Sequence, residues 1–297
     1  VKLARSLLSG LVTIWLAAST AFLLMRAVPG DAIRATLQQS GAPPAVIEQR
    51  RAALGLDLPL MAQYTAMLTD ALRGQMGVSL VSGQPVVALI SAAVPATLSL
   101  AFAAIVVAVP CSLLLGVTAG TDGRWSRAAR ATIALLMAAP AYWLGFLLLF
   151  LASVTLGFVA QGIALPALAL GLSVSGSLGR VIEGSMRTQA QAGYIPAARA
   201  RGLTERVLIW RHMLRAALPP VLSAVGLQAA FLAGGVVITE MVFSRPGLGR
   251  VLTDAALRGD YPVVQGVILW SATAVVLMQL VADAASAAAD PRVRHVA

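Results

Sequence analysis

The side chains able to do chemistry are few in this sequence, and they stand far apart. The histidines are His212 and His295 and the one cysteine is Cys111, so neither a His-rich metal cage nor an internal disulfide can form. Cys111 lies in an apolar run and reads as a small packing residue. An enzyme needs nucleophile, base and stabilising groups at one depth, and no Ser/His/Asp or two-metal grouping is visible. An ATP site of the usual kind needs a glycine-rich turn followed by lysine. Lys2 is the only lysine and no such turn precedes it. What remains is a basic segment between apolar runs and a handful of acids inside them. Glu240 lies near one end of an apolar run, where an acid must face protein, water or a cation. A hydrogen bond to a neighbouring loop ranks ahead of a contact with solute there. Arg180 and Glu183 are three residues apart and can pair on one helical face.

The elements that must position these groups follow from composition. The chain has 297 residues, 59% of them hydrophobic and 11% charged. Soluble domains are about half apolar and about a quarter charged, so a lipid-facing exterior is the simple answer. The net charge of +10 is carried almost wholly by arginine. These arginines fall between apolar runs and form no continuous basic face, which argues for cytoplasmic anchors and against nucleic acid as a partner. Six apolar runs are long enough to span a bilayer, at about residues 7–25, 94–120, 131–159, 165–186, 219–243 and 263–289. None alternates like a strand, so helices are expected.

Orientation follows from the arginines. Lys2 and Arg5 precede the first run, and Arg124, Arg127 and Arg130 lie between the second and third. Arg187, Arg199, Arg201, Arg206, Arg211 and Arg215 lie between the fourth and fifth, and Arg292 and Arg294 close the chain. Six alternating spans place all of these on one side, which the positive-inside rule makes cytoplasmic, both termini included. The N-terminal run has no small-x-small cleavage site after Met25 and reads as an uncleaved span rather than a signal peptide. Residues 26–93 form an external insert, in which 45–54 and 60–72 read as short amphipathic helices preceded by prolines. Gly74, Gly77 and Gly83 mark turns after them. The expectation is a small ordered cap over the outer mouth.

The segment 187–218 is the most informative. Pro196 suits the first turn of a helix, Ala197, Ala198 and Ala200 favour its continuation, and Gly202 suits its end. Thr204 can cap a second helix beginning near Glu205, which climbs back to Pro219. A short helix studded with Arg199 and Arg201 and projecting from a bilayer suits docking on a soluble partner, although a charged, solvated loop has the same composition.

Ala197-Ala198, then Gly202, then Leu218-Pro219 resemble the loop signature of binding-protein-dependent ABC importer permeases, at the spacing of the peptide/nickel branch. Other motifs occur in order: Gly55-Leu56-Asp57 with Gln63-Tyr64, Pro95-Ala96-Thr97-Leu98, Glu240 through Phe243, Pro246-Gly247-Leu248-Gly249, Asp260 through Gln265, and Asp290-Pro291-Arg292-Val293-Arg294. The set resembles the B-type membrane subunit of oligopeptide, dipeptide and nickel importers. Pro196, Ala216 and Arg245 depart from its pattern. The resemblance implies an all-α integral membrane protein of six transmembrane helices in the bacterial inner membrane, with a type I importer permease fold. Its parts would be a first helix at 1–25, the insert at 26–93 and a permease core at 94–297. The chain would pair with a homologous permease, two cytoplasmic ATPase subunits and an external solute-binding protein. ATP and Mg would sit on the ATPases, and this chain would bind no cofactor. Gly193, Tyr194, Ala197, Ala198, Arg199, Ala200, Arg201, Gly202, Leu203 and Glu205 would contact an ATPase and transmit its motion.

Met137, Trp143, Met241, Phe243 and Glu240 are candidates for the translocation pathway, and Pro110 and Pro140 for kinks beside it. The small residues Gly226, Ala230 and Gly234 permit close contact, with packing inside the chain ranked ahead of packing on a second permease. The cargo stays open between peptides and nickel or a metal chelate. An ion-coupled transporter would call for several intramembrane acids in paired repeats, and only Glu240, Glu183 and Asp283 qualify.

Overall fold

A computed structural model of the chain describes residues 2–27, 43–53, 55–157 and 162–289, and every statement of structure below concerns these. The residues are helical almost throughout, with one isolated antiparallel bridge between Val78 and Pro85. The helices are α1 (Lys2–Ala27), α2 (Pro44–Ala53), α3 (Leu60–Leu72), α4 (Val86–Gly120), α5 (Ser126–Ala138), α6 (Ala141–Leu156) and α7 (Ala164–Ala190). After them come α8 (Tyr194–Ala200), α9 (Glu205–Ala233), α10 (Val237–Val242), α11 (Leu248–Leu257) and α12 (Tyr261–Ala289). Five of these, α1, α4, α7, α9 and α12, are each long and apolar enough to cross a bilayer. The pair α5 and α6 makes a sixth when taken together.

Three spans differ from the sequence expectation. The third run, 131–159, is not one rod: α5 and α6 meet at 102°. The cause is local. A residue before proline is pushed out of the α region, and Ala139, ahead of Pro140, is extended at φ −81°, ψ 119°. Pro95 and Pro110, by contrast, lie inside α4 without ending it. That helix starts at Val86, inside the insert as read from sequence, because the stretch from Val86 to Ala93 is as apolar as the remainder of the helix. The fifth span starts earlier and stops sooner than 219–243. It runs unbroken from Glu205 through Pro219 and Pro220, with a π-helical stretch at Leu208–Met213, and ends at Ala233. Gly235, at φ +117°, turns the chain there into the short α10.

Without water to drive apolar surfaces together, helices in lipid associate by close contact at small residues. The centre of the fold shows it. A Cβ added at Gly116 of α4 would lie 2.5 Å from Cβ of Ile182 and 2.8 Å from the carbonyl of Gly179, both on α7. One added at Gly171 would lie 2.6 Å from Cβ of Val107. On the α5 side of α7, one at Gly176 would lie 2.9 Å from the backbone nitrogen of Met137. The same device joins α9 to α12: a Cβ at Gly226 would lie 2.1 Å from that of Ala282, and one at Gly234 would lie 2.9 Å from Val275. The small residues of the fifth span therefore pack inside the chain.

The insert is tied to the spans by its own motif residues. The Tyr64 ring packs tilted at 59° against that of Phe22 of α1 at a centroid distance of 5.4 Å, and its hydroxyl lies 2.7 Å from Ser19 Oγ. Gln63 accepts from Arg26 Nη2 and donates from Nε2 to the carbonyls of Leu56 at 3.1 Å and Leu58 at 2.7 Å. Asp260, just before α12, accepts from Ser79 Oγ and from the Leu80 amide. Gly74, Gly77 and Gly83 all have positive φ, as their turns require.

Replacing Gly226 with valine should lower the thermal midpoint in detergent, because an overpacked contact costs about 1–3 kcal/mol. Gly184 of α7, which has nothing within 4 Å of its would-be Cβ, should tolerate alanine with no loss.

Candidate functional site

The segment joining α7 to α9 folds as a compact knuckle. Pro196 is the third residue of α8, a position whose amide has no partner within a helix. The end of α8 is a full Schellman motif: Gly202, at φ +80°, donates to the carbonyl of Arg199 at 2.9 Å, and Leu203 to that of Ala198 at 3.3 Å. Thr204 is extended at φ −69°, ψ 150° and begins α9, without a side-chain cap bond. Across the turn, Arg199 Nε donates to Glu205 Oε1 at 2.6 Å and Nη2 to Oε2 at 3.1 Å, a bidentate pair.

These hydrogen bonds and the guanidinium charge hold the Glu205 carboxyl below its ordinary value. A depressed acid stabilises the folded state above its unfolded pKa and loses that contribution as pH falls through the folded one. The pair is thus complete at neutral pH and opens only in acid. Both partners are exposed to solvent, so its value lies in shaping the turn.

One residue anchors the knuckle. Ile195 is fully buried among Ile182 and Met186 of α7 and Leu208, Met213 and Ala217 of α9. Of the residues expected to meet an ATPase, Gly193, Tyr194, Ala197, Arg199, Ala200, Arg201, Gly202, Leu203 and Glu205 are exposed, and Ala198 is half-buried against the same cluster. The sequence reading passed over Ile195, whose signal was a lone branched aliphatic in a polar turn. Arg187, expected only as a cytoplasmic anchor, is in addition a partner of Glu183. Glu183 is buried and accepts from Arg180 at 3.0 Å, as its spacing predicts, and also from Arg187 at 3.1 Å.

Glu240 is 0% exposed. Its Oε1 accepts from Thr97 Oγ1 at 2.6 Å and its Oε2 from the Gly249 amide at 2.6 Å, while Thr97 Oγ1 accepts from the Leu248 amide at 2.9 Å. The loop at Pro246–Gly249 wraps the carboxylate so closely that a Cβ at Gly247 would lie 2.2 Å from Oε1. The acid thus joins α10, α4 and α11, and the hydrogen bond to a neighbouring loop is the arrangement present. No face of the carboxylate is left for a passing solute.

The other pathway candidates differ. Met137, Trp143 and Met241 are each about half exposed, at 51%, 52% and 48%. Phe243 is half-buried, packed on α6 where Gly145 leaves room for its ring. Arg245 lays Nη2 3.4 Å from the carbonyl of Ala96 and 3.5 Å from Ser99 Oγ.

The described residues form an all-helical membrane fold with a short exposed helix between two of its spans. The comparisons with known proteins agree. Residues 108–295 match the family described as binding-protein-dependent transport system inner membrane component, and residues 2–101 match the family described as the N-terminal part of the membrane component of such systems. The chain belongs to this family: it is a non-catalytic permease subunit of a type I ABC importer, whose ATPase is a separate subunit.

Among particular relatives, it is similar to the glutathione transport system permease protein GsiC of Escherichia coli strain K12. The two are 35% identical over 300 aligned residues, covering 98% of each chain. GsiC of Salmonella choleraesuis is likewise 35% identical, with the same coverage. In fold, it is similar to the MetNI methionine ABC transporter, with TM-score 0.54 and 22% identity over 68% of this chain and 96% of that one. An amino acid ABC transporter solved with histidines gives TM-score 0.54 and 18% identity over 69% and 94%.

Replacing Glu240 with alanine should destabilise the protein by about 1–3 kcal/mol for each buried donor left unpaired, the Thr97 hydroxyl and the Gly249 amide. A falling thermal midpoint in the purified protein would show it, and Thr97→Val should lower it as well, since it leaves Glu240 Oε1 without its hydroxyl donor and the Leu248 amide without its acceptor.

Proposed function

We propose that this chain forms half of the translocation pathway for small peptides, and that α8 is the handle by which a cytoplasmic ATPase moves it. The observation that carries the reading is the knuckle. A seven-residue helix with an exposed, arginine-bearing outer face is pegged by Ile195 to two membrane spans. A load applied to α8 therefore reaches α7 and α9 as rigid bodies.

The orientation that fits is α8 and both termini in the cytoplasm and the insert outside, facing a solute-binding protein. The pathway is completed by a second, homologous permease. Two ATPase subunits carry ATP and Mg, and this chain holds no cofactor. Met137, Trp143, Met241 and Phe243 offer a soft, apolar lining that grips a solute weakly and lets it leave. Glu240 is assigned to the frame instead. For the cargo, similarity to glutathione permeases supports a peptide. Nickel or a metal chelate is the second cargo class of the resembling branch, and a chelated metal can cross without ligands from this chain.

The test uses the complex assembled with its co-encoded partners in lipid vesicles. ATP hydrolysis should rise when the loaded binding protein is added, and the cargo that produces the rise identifies the substrate. Gly202→Val, forced into a φ of +80° that costs a side chain about 1–2 kcal/mol, should keep the complex assembled while severing hydrolysis from uptake. Normal uptake by that variant, or absence of an ATPase from the purified complex, would overturn the assignment.

A further inference from the structure

The spans other than α7 present apolar side chains outward: Leu8, Leu11, Trp15 and Leu23 on α1, and Phe102, Val106 and Leu114 on α4 are all exposed. Helix α7 does the reverse. It is the most enclosed of the long helices, and the face it leaves open is polar. Ser173, Ser177, Arg180, Gly184, Arg187 and Thr188 recur at spacings of three and four, so they share one side of the helix. Arg180, Gly184, Arg187 and Thr188 are exposed, and Ser173 and Ser177 are half-open. Arg180 stands ten residues before the end of α7, or about 15 Å at 1.5 Å per residue. That places it well inside the helix and not at its tip.

A charged stripe at that depth is costly against hydrocarbon and is expected to face water or protein. The cluster also has a built geometry. Glu183, its side chain 3% exposed, reaches Arg180 from one oxygen and Arg187 from the other, while each arginine side chain is half exposed. Two guanidinium groups on one carboxylate leave an excess positive charge, held in position by the shared Glu183 on half-exposed side chains. An Arg fork so held matches a carboxylate.

We infer that this open face of α7 lines the water-filled inner part of the pathway, and that Arg180, with Glu183 as its positioning residue, is a contact for the carboxylate of the passing solute. The inference rests on the permease reading above and adds a charge preference for anionic solutes. A weak contact suffices, because the solute must leave.

The experiment is made on the assembled complex in lipid, without nucleotide, after Cys111→Ala removes the native thiol. Single cysteines are introduced as Ser177→Cys, Gly184→Cys and Thr188→Cys, with Phe102→Cys and Leu114→Cys as apolar-face controls. The thiolate, which forms in water, attacks the thiol-level sulfur of a charged methanethiosulfonate reagent, forming a mixed disulfide and releasing methanesulfinate, so the stripe positions should react at least about tenfold faster than the controls. Trialanine at about twice its dissociation constant should slow the reaction at Ser177→Cys about threefold. Trialanine amide should not, and Arg180→Gln should abolish the protection while Arg180→Lys retains part of it.

Stripe cysteines as unreactive as the controls would mean that the face is buried against the second permease or lipid, and the inference would fall. Equal protection by acid and amide, or protection by neither, would remove the role of Arg180. Both results are distinct from failure of the importer reading, which would show as a complex whose hydrolysis ignores the loaded binding protein.

Discussion

How close two helices can come inside a bilayer governs the rest of this structure. Lipid is as apolar as a leucine side chain, so burying leucine against leucine gains little there, and attraction comes from contact alone. Helix α7 is held on both sides at glycines, by α4 through Gly116 and Gly171 and by α5 through Gly176. At these points a single methyl group would collide with backbone or Cβ atoms. Such contacts are hard to deform, and they make α7 the rigid member to which the other parts refer.

That rigidity gives the exposed knuckle its meaning. Helix α8 has seven residues, too short to hold its shape alone in water. It is defined at one end by the Schellman turn at Gly202, across its turn by the Arg199–Glu205 pair, and from below by Ile195. Because Ile195 is seated on side chains from both α7 and α9, the short helix behaves as an extension of two spans. A flexible loop of the same composition would absorb a push, whereas this arrangement passes it on.

The buried acid belongs to the same logic. Glu240 gathers an amide from the first turn of α11 and a hydroxyl from α4 around one carboxylate, in a place where unpaired polar groups are costly. The glycines beside it are there because nothing larger fits: at Gly249 a Cβ would lie 2.3 Å from Cα of Val237. Arg26, Gln63 and Tyr64 do similar work between the insert and α1, and Asp260 between the insert and α12. The ordered polar motifs outside the knuckle thus mostly join one helix to the next.

The sequence by itself determined the class of fold, the number of apolar runs, the helix–turn–helix of the knuckle and the place of Gly202. Each is a local matter of hydrophobic length, proline or glycine backbone limits, and capping. It also ranked the hydrogen bond of Glu240 above a solute contact, since an acid in an apolar run must find a partner. Only the tertiary structure decided which partners those were, because Thr97 and Gly249 reach Glu240 from distant parts of the chain. It alone gave the 102° bend at Pro140 and the unbroken passage of α4 through Pro110: a proline's missing hydrogen bond is local, but whether the helix survives it depends on what packs around it. The peg at Ile195 and the polar face of α7 were hidden for a related reason. Burial and exposure are properties of the assembled helices, and periodicity names the residues on a face without saying what that face meets.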